Sequence, residues 1–209
     1  MTLTRAVGTA CNTVIRQIVR GLALARIHPN VLTFIGLLVN VVAAALLAYG
    51  WFPTAGFVII AAGLFDMVDG RVARETNQVT RFGGFFDSVM DRYSDLVLLM
   101  GMLVYYASIA RFFYVVLTAV VMTASVMVSY TRARAECTIE RCKVGFMERP
   151  ERLVLLIIGA LFDRMAPVLW VIAILGNLTV IHRVIYTWKE TRRLELAQPP
   201  PAAAKGLGA

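Results

Sequence analysis

Residues 65–95 read FDMVDGRVARETNQVTRFGGFFDSVMDRYSD. Five aspartates stand in this stretch, Asp66, Asp69, Asp87, Asp91 and Asp95, and long apolar runs flank it on both sides. A run of about twenty apolar residues is the length that crosses a bilayer as a helix. Two such runs share the quoted stretch, at about 54–74 and 82–108. Working outward, further runs lie at about 31–50, 112–132 and 167–188, with a shorter one at about 153–161 whose start extends earlier. Trp51, Phe52 and Pro53 close the first, and a polar stretch over 134–152 separates the fourth from the fifth. The expected fold is all-α and integral to the membrane, with six transmembrane helices.

Composition excludes the main alternatives. Of 209 residues, 59% are hydrophobic and 16% charged, whereas soluble chains are nearer half apolar and a quarter charged. Disorder, a soluble enzyme and a disulfide-stapled domain are therefore excluded. Three cysteines, Cys11, Cys137 and Cys142, complete neither a disulfide framework nor a zinc site. In residues 1–26, Thr9, Asn12, Arg16 and Arg20 fall at helical spacing opposite Val14, Ile15, Ile18, Val19 and Leu22. That pattern predicts an amphipathic helix lying in the membrane surface. Arg16 and Arg20 interrupt any signal-peptide core. The segment 27–190 is read as one transmembrane domain, and 191–209, rich in Pro and Ala, as a disordered tail.

The charge balance is 21 Lys and Arg against 13 Asp and Glu, a net +8. The excess clusters before the first run, between the second and third, between the fourth and fifth, and after the sixth. The other side carries only Arg111 and Arg164. The positive-inside bias places both termini, and the carboxylates, on the cytoplasmic side of the cell membrane. It accounts for the basic excess without nucleic acid.

Carboxylates at membrane depth are costly, and a cluster of them marks function. At 100° per residue, Asp66 and Asp69 lie about 60° apart, and Asp87, Asp91 and Asp95 form one stripe. The short connection over 75–81 makes the two helices antiparallel neighbours. Like charges this close repel unless a cation sits among them. Oxygen-only ligands select hard ions such as Mg²⁺ or Mn²⁺, and two ions about 4 Å apart suit displacement at phosphorus. The structural alternative pairs the aspartates with Arg71, Arg74, Arg81 and Arg92, and it fits Asp95 best. Gly70, Ala73, Gly83 and Gly84 leave room for a large ligand or for close helix packing.

Together these residues spell Asp66-x₂-Asp69-Gly70-x₂-Ala73-Arg74-x₈-Gly83-x₃-Asp87-x₃-Asp91. The pattern resembles the complete signature of the CDP-alcohol phosphotransferases, and the resemblance covers about residues 5–190. It implies displacement of CMP from a CDP-linked donor such as CDP-diacylglycerol, and a homodimer. Asp66, Asp69, Asp87 and Asp91 would hold two divalent cations, with Asp91 also the base. Asp69, Gly70, Ala73 and Arg74 would bind CDP, joined by Pro29, Asn30 and Thr33 from an element similar to the family's Pro-Asn/Asp-x-x-Thr. The segments 129–136 and 145–152 resemble the branch that makes phosphatidylinositol phosphate from inositol 1-phosphate. There Arg132, Arg152 and Arg183 would bind the phosphate of this phosphorylated polyol acceptor. Arginine forks match phosphate oxygens bidentately. Arg132 stands where that branch commonly has Lys. Glycerol 3-phosphate, giving phosphatidylglycerophosphate, is the alternative acceptor. An ion-coupled transporter is the alternative class, but neither inverted repeats nor broken helices support it. His182 receives no role.

Overall fold

The computed structural model describes residues 28–75 and 78–197, with the side chains of Asp69, Glu75 and Ala197 excepted. The expected surface helix over 1–26 lies outside the described residues. Among those residues the chain is helical, without strands. The helices are α1 (Pro29–Ala48), α2 (Phe52–Glu75), α3 (Arg81–Ser108), α4 (Phe112–Ala135), α5 (Arg149–Leu161) and α6 (Met165–Ala197).

Local chemistry sets the ends. Pro29 opens α1 beside the cap His28, whose Nδ1 accepts from Asn30 N at 3.2 Å. The Thr80 hydroxyl caps α3 by accepting from Gly83 N at 2.9 Å. Helices α1, α3 and α5 end on left-handed residues, Gly50, Ala110 and Asp163. The next residue in each case donates back five positions: Trp51 to Leu46, Arg111 to Tyr106 and Arg164 to Gly159. Three Schellman turns thus make the three short hairpins on one side of the bundle. The described residues of the longer connections, 78–80 and 136–148, lie at the opposite end.

Helix α6 runs to Ala197, beyond the expected start of the tail. Residues 190–197, ETRRLELA, are mostly good helix formers, and Arg193 reaches Glu190 at 3.7 Å. Helix α5 has only 13 residues, about 20 Å of rise. Its predecessors over 136–148 are spent on a loop.

The main helix contacts close a ring in the order α1, α2, α5, α6, α4, α3. Helices α2 and α3, expected as direct neighbours, instead both pack extensively on α1. Gly101 makes this possible on the α3 side, because a Cβ there would lie 2.3 Å from Ala44 O. Core residues Ala43, Leu47, Ile59, Leu98, Met102 and Leu169 fill the interior away from the aspartates. Four helices, α1, α2, α4 and α6, contain stretches long and apolar enough to cross a membrane. Only 33–39% of each such stretch is buried, so most of its apolar surface faces outward, as lipid requires. Helix α3 is long enough, but Asp87, Asp91, Arg92 and Asp95 charge its first half. Helix α5 is too short to qualify. Among the described residues the fold is all-helical, and its apolar helices are those of an integral membrane protein.

Candidate active site

The separation of α2 from α3 creates a cavity of about 620 Å³ between α1, α2 and α3. Pro29, Asn30 and Thr33 line it from α1, and Asp66, Gly70, Ala73 and Arg74 from α2. Gln78, Val79 and Thr80 form its floor, with Gly83, Gly84 and Asp87 on α3. Every expected CDP-contact residue with a described side chain therefore reaches one space. The amino-terminal ends of α1 and α3 open onto it, and unpaired N–H groups at such ends favour anions. At Gly70, a Cβ would meet only the Arg74 guanidinium, at 3.8 and 3.9 Å, so the glycine leaves volume to the cavity. Gly36 of α1 is closer: a Cβ there would lie 3.1 Å from Asp66 Oδ1.

Beside this cavity the carboxylates converge on one guanidinium. Arg149, the first residue of α5, donates from Nη2 to Asp66 Oδ2 at 2.7 Å. Its Nη1 lies 2.7 Å from Asp91 Oδ1, and its Nε 3.6 Å from Asp95 Oδ1. Asp66 comes from α2 and Asp91 from α3, so one cation bridges the two helices. Asp95 also forms a buried ion pair with Arg152, one turn along α5. Of the arginines expected as partners, Arg92 lies 3.9 Å from Asp91. Asp95 is thus neutralised from α5 rather than by the arginines of α2 and α3. The reason is that α5 packs against α2 and points its amino-terminal turn at the stripe.

The donor set suits a hard divalent cation. It is all carboxylate, and Asp66 and Asp91 already face a single positive group from opposite sides. Among the described residues no three His, Cys, Asp or Glu side chains cluster closely enough to hold one ion. The Asp69 side chain is not among them.

A second cavity, about 340 Å³, lies on the other side of α5's first turn. Arg132, Lys143, Gly145, Phe146, Glu148 and Glu151 line it. Arg132 and Arg183 meet here on a shared partner: Glu148 Oε1 accepts from Arg132 Nη1 at 3.1 Å and Arg183 Nη2 at 2.9 Å. Arg183 is buried. Its Nε donates to Val144 O at 2.8 Å and its Nη1 to Val128 O, so it pins the 136–148 loop to α4. Arg152 does not join them, being sealed against Asp95.

The loop is held by a residue that sequence reasoning passed over. The Thr179 hydroxyl accepts from Phe146 N and Met147 N, each at 3.1 Å, while donating to Leu175 O at 2.8 Å. Gly145 makes the approach possible, with φ +127° and a hypothetical Cβ 2.5 Å from Thr179 Cγ2. Glu148 then caps α5, its N–H donating to Glu151 Oε2 at 3.0 Å. Lys143, Glu148 and Arg149 were also missed. Glu148 and Arg149 stand in the segment 145–152 singled out by its resemblance, but neither was given a role in the site. His182 stacks on Phe146, centroids 5.7 Å apart, consistent with packing alone.

Comparison with known proteins agrees with this geometry. Residues 26–188 match the CDP-alcohol phosphatidyltransferase family. The archaetidylinositol phosphate synthase of Methanothermobacter thermautotrophicus is 37% identical over 168 residues, covering 77% of this chain and 83% of that one. The phosphatidylinositol phosphate synthase of Mycobacterium tuberculosis is 35% identical over 182 residues, covering 82% and 84%. Crystal structures of the M. tuberculosis synthase superpose well. With CDP-DAG bound, the TM-score is 0.78 at 31% identity, covering 84% of this chain and 94% of that one. In complex with manganese and citrate, it is 0.75 at 32%, covering 83% and 88%. A family match over most of the chain, on a bundle whose signature residues share one cavity, leaves one conclusion: this chain belongs to the CDP-alcohol phosphatidyltransferase family.

Proposed function

We propose that this chain transfers the phosphatidyl group of CDP-diacylglycerol to the hydroxyl of inositol 1-phosphate, giving phosphatidylinositol phosphate and CMP. The observation that carries the reading is the convergence of Pro29, Asn30, Thr33, Gly70, Ala73 and Arg74 on one cavity with Asp66 and Asp87 at its wall. A cavity of about 620 Å³ lies within the range of small-ligand sites. The acceptor assignment draws on the relatives, whose names share inositol phosphate while their lipid parts differ.

In this reading Asp66, Asp69, Asp87 and Asp91 hold two divalent cations, Mg²⁺ or Mn²⁺, which when bound offset the charge of the pyrophosphate. The remaining work belongs to the chain's own groups. Gly70 and Ala73 admit the cytidine end, and Arg74 adds positive charge there. Asp91 takes the proton of the acceptor hydroxyl. The hydroxyl oxygen forms a new bond to the phosphatidyl phosphorus as the bond from that phosphorus to the CMP oxygen breaks, and CMP leaves. Arg132 and Arg183 hold the acceptor phosphate. Arg152, closed against Asp95, stiffens the wall between the two cavities.

The same reading completes the topology. Helices α3 and α5 are the third and fifth of six spans in a domain over 27–190. Both termini and both cavities are cytoplasmic, and the unit is a homodimer.

The test is a panel of acceptors given to purified protein in nanodiscs with CDP-diacylglycerol and Mn²⁺, products identified by mass. Inositol 1-phosphate should give phosphatidylinositol phosphate, and excess EDTA should stop it. Turnover of glycerol 3-phosphate alone would replace the acceptor and keep the reaction. Absence of CMP release with every acceptor would refute the transferase reading and return the transporter.

A further inference from the structure

The two residues that open α5 carry opposite charges to the two halves of the site. Arg149 turns to the carboxylates and Glu148 to the arginines. They are consecutive, so neither can move far without disturbing the other. We propose that Glu148 and Arg149 are exchange counter-ions. Arg149 occupies the place of the metal charge and Glu148 the place of the acceptor phosphate, each yields to that ligand, and the two exchanges are coupled. The proposal rests on the metal-dependent reading above.

Three observations support it. The first is chemical matching. A guanidinium with one nitrogen on Asp66 and another on Asp91, both at 2.7 Å, satisfies the demand that a cation would satisfy. A carboxylate oxygen shared by Arg132 and Arg183 likewise satisfies the demand of a phosphate oxygen.

The second is accessibility. The Arg149 side chain is 23% exposed and that of Glu148 42%, whereas Asp95 and Arg152 are 8% and 4%. The exposed members of the outer pairs, Arg149 and Glu148, can therefore swing aside for ligands from water while Arg183, 1% exposed, and the inner pair stay fixed.

The third is imperfection. Arg149 Nε is buried without a hydrogen-bond partner, because Asp95 Oδ1 is 3.6 Å away. An unsatisfied buried donor costs free energy. The clamp is thus a weaker partner for these carboxylates than a directly ligating divalent ion.

Coupling follows from adjacency. A divalent ion that takes Asp66 and Asp91 frees the Arg149 guanidinium, whose neighbour in the chain is a carboxylate. Glu148 can then pair with Arg149 and release Arg132 and Arg183 to an incoming phosphate. Linkage makes the effect reciprocal, so a tetrahedral anion bound at the arginines strengthens metal binding.

The experiment titrates Mn²⁺ into full-length protein in nanodiscs at pH 8 without substrates, reading free Mn²⁺ by its paramagnetic resonance signal. Sulfate serves as the tetrahedral anion. Arg149→Ala should bind Mn²⁺ about tenfold or more tighter than wild type, since a competing charge-assisted contact is gone. Arg149→Lys, which keeps charge but loses the fork, should fall between and covers the case in which the alanine variant does not fold. Saturating sulfate should tighten Mn²⁺ binding in wild type and not in Glu148→Gln. Asp66→Asn separates this proposal from the reading beneath it. If Asp66→Asn weakens Mn²⁺ binding but Arg149→Ala and Arg149→Lys leave it unchanged or weaker, the exchange is wrong and the metal site stands. If Asp66→Asn binds as wild type does, both fall. Sulfate having no effect in wild type, or an equal effect in Glu148→Gln, overturns the coupling.

Discussion

Asp95→Asn separates structural from ligating carboxylates on α3. Asp95 shares its stripe with Asp87 and Asp91, yet its side chain is 8% exposed and its partner is Arg152, 4% exposed. The amide keeps the shape and removes the charge, leaving a buried guanidinium uncompensated. Arg152 Nη1 is already without a hydrogen-bond partner, so the site has no spare acceptor to offer. Breaking a buried pair from one side costs about 3–5 kcal/mol. Arg152→Met with Asp95→Asn removes both charges and should recover most of that loss, because a desolvated pair adds little over an apolar replacement. Reversible unfolding in mixed micelles would measure Asp95→Asn, Arg152→Met and the double variant. Mn²⁺ titration of the same samples should show near-wild-type affinity in Asp95→Asn once folded. A variant of full stability with Mn²⁺ binding lost would refute the reasoning and place Asp95 among the ligands. Additive losses in the double variant would refute the pairing itself.

Further outcomes follow from the two cavities. Gly70→Leu should fold normally, since only the Arg74 guanidinium lies near the added Cβ; it should abolish CDP-diacylglycerol binding, and an isotherm matching wild type would contradict the donor site. Arg132→Ala breaks only half-exposed pairs with Glu136 and Glu148, so stability should change by less than about 1 kcal/mol. Its acceptor KM should nonetheless rise roughly ten- to hundredfold from one lost phosphate contact, with donor KM nearly constant in two-substrate kinetics. Gly145→Ala should destabilise the 136–148 loop by about 1–3 kcal/mol through its positive φ and the clash with Thr179 Cγ2. Thr179→Ser, which removes that methyl, should recover part of the loss in a thermal scan.

Much of the fold was legible because hydropathy is a local property. The runs at 31–50, 54–74, 112–132 and 167–188 correspond to α1, α2, α4 and α6 within a few residues, except at the end of α6, which runs on to Ala197. Their boundaries moved where local chemistry outweighs hydropathy, as at the helical charged segment that extends α6. Helix α5 was the least legible, since its start depends on a loop folded onto Thr179 and Arg183 rather than on apolar periodicity. The donor cavity was readable because the motif places its residues on helices adjacent in sequence. The expectation that α2 and α3 touch directly missed the role of α1, whose approach to α3 depends on contact at Gly101.

Arg149 shows why the rest stayed hidden. Its partner Asp66 is 83 residues away in sequence, and no period or spacing within α5 announces the contact. Glu148 meets Arg183 across 35 residues for the same reason. Basic residues at this end of the bundle are also what topology demands, so counting them cannot tell an anchor from a participant. Burial can. Arg152 and Arg183 are buried and tied to fixed partners, whereas Arg132, Lys143, Glu148 and Arg149 lie at the cavities or their rim. Each half of the site thus pairs a closed element, Asp95–Arg152 or Arg183 on Val128 and Val144, with an accessible counter-charge. The closed elements hold α5 in place against both cavities. The accessible charges keep those cavities close to neutral before ligands arrive, which spares the bundle the self-repulsion that its aspartates and arginines would otherwise exert.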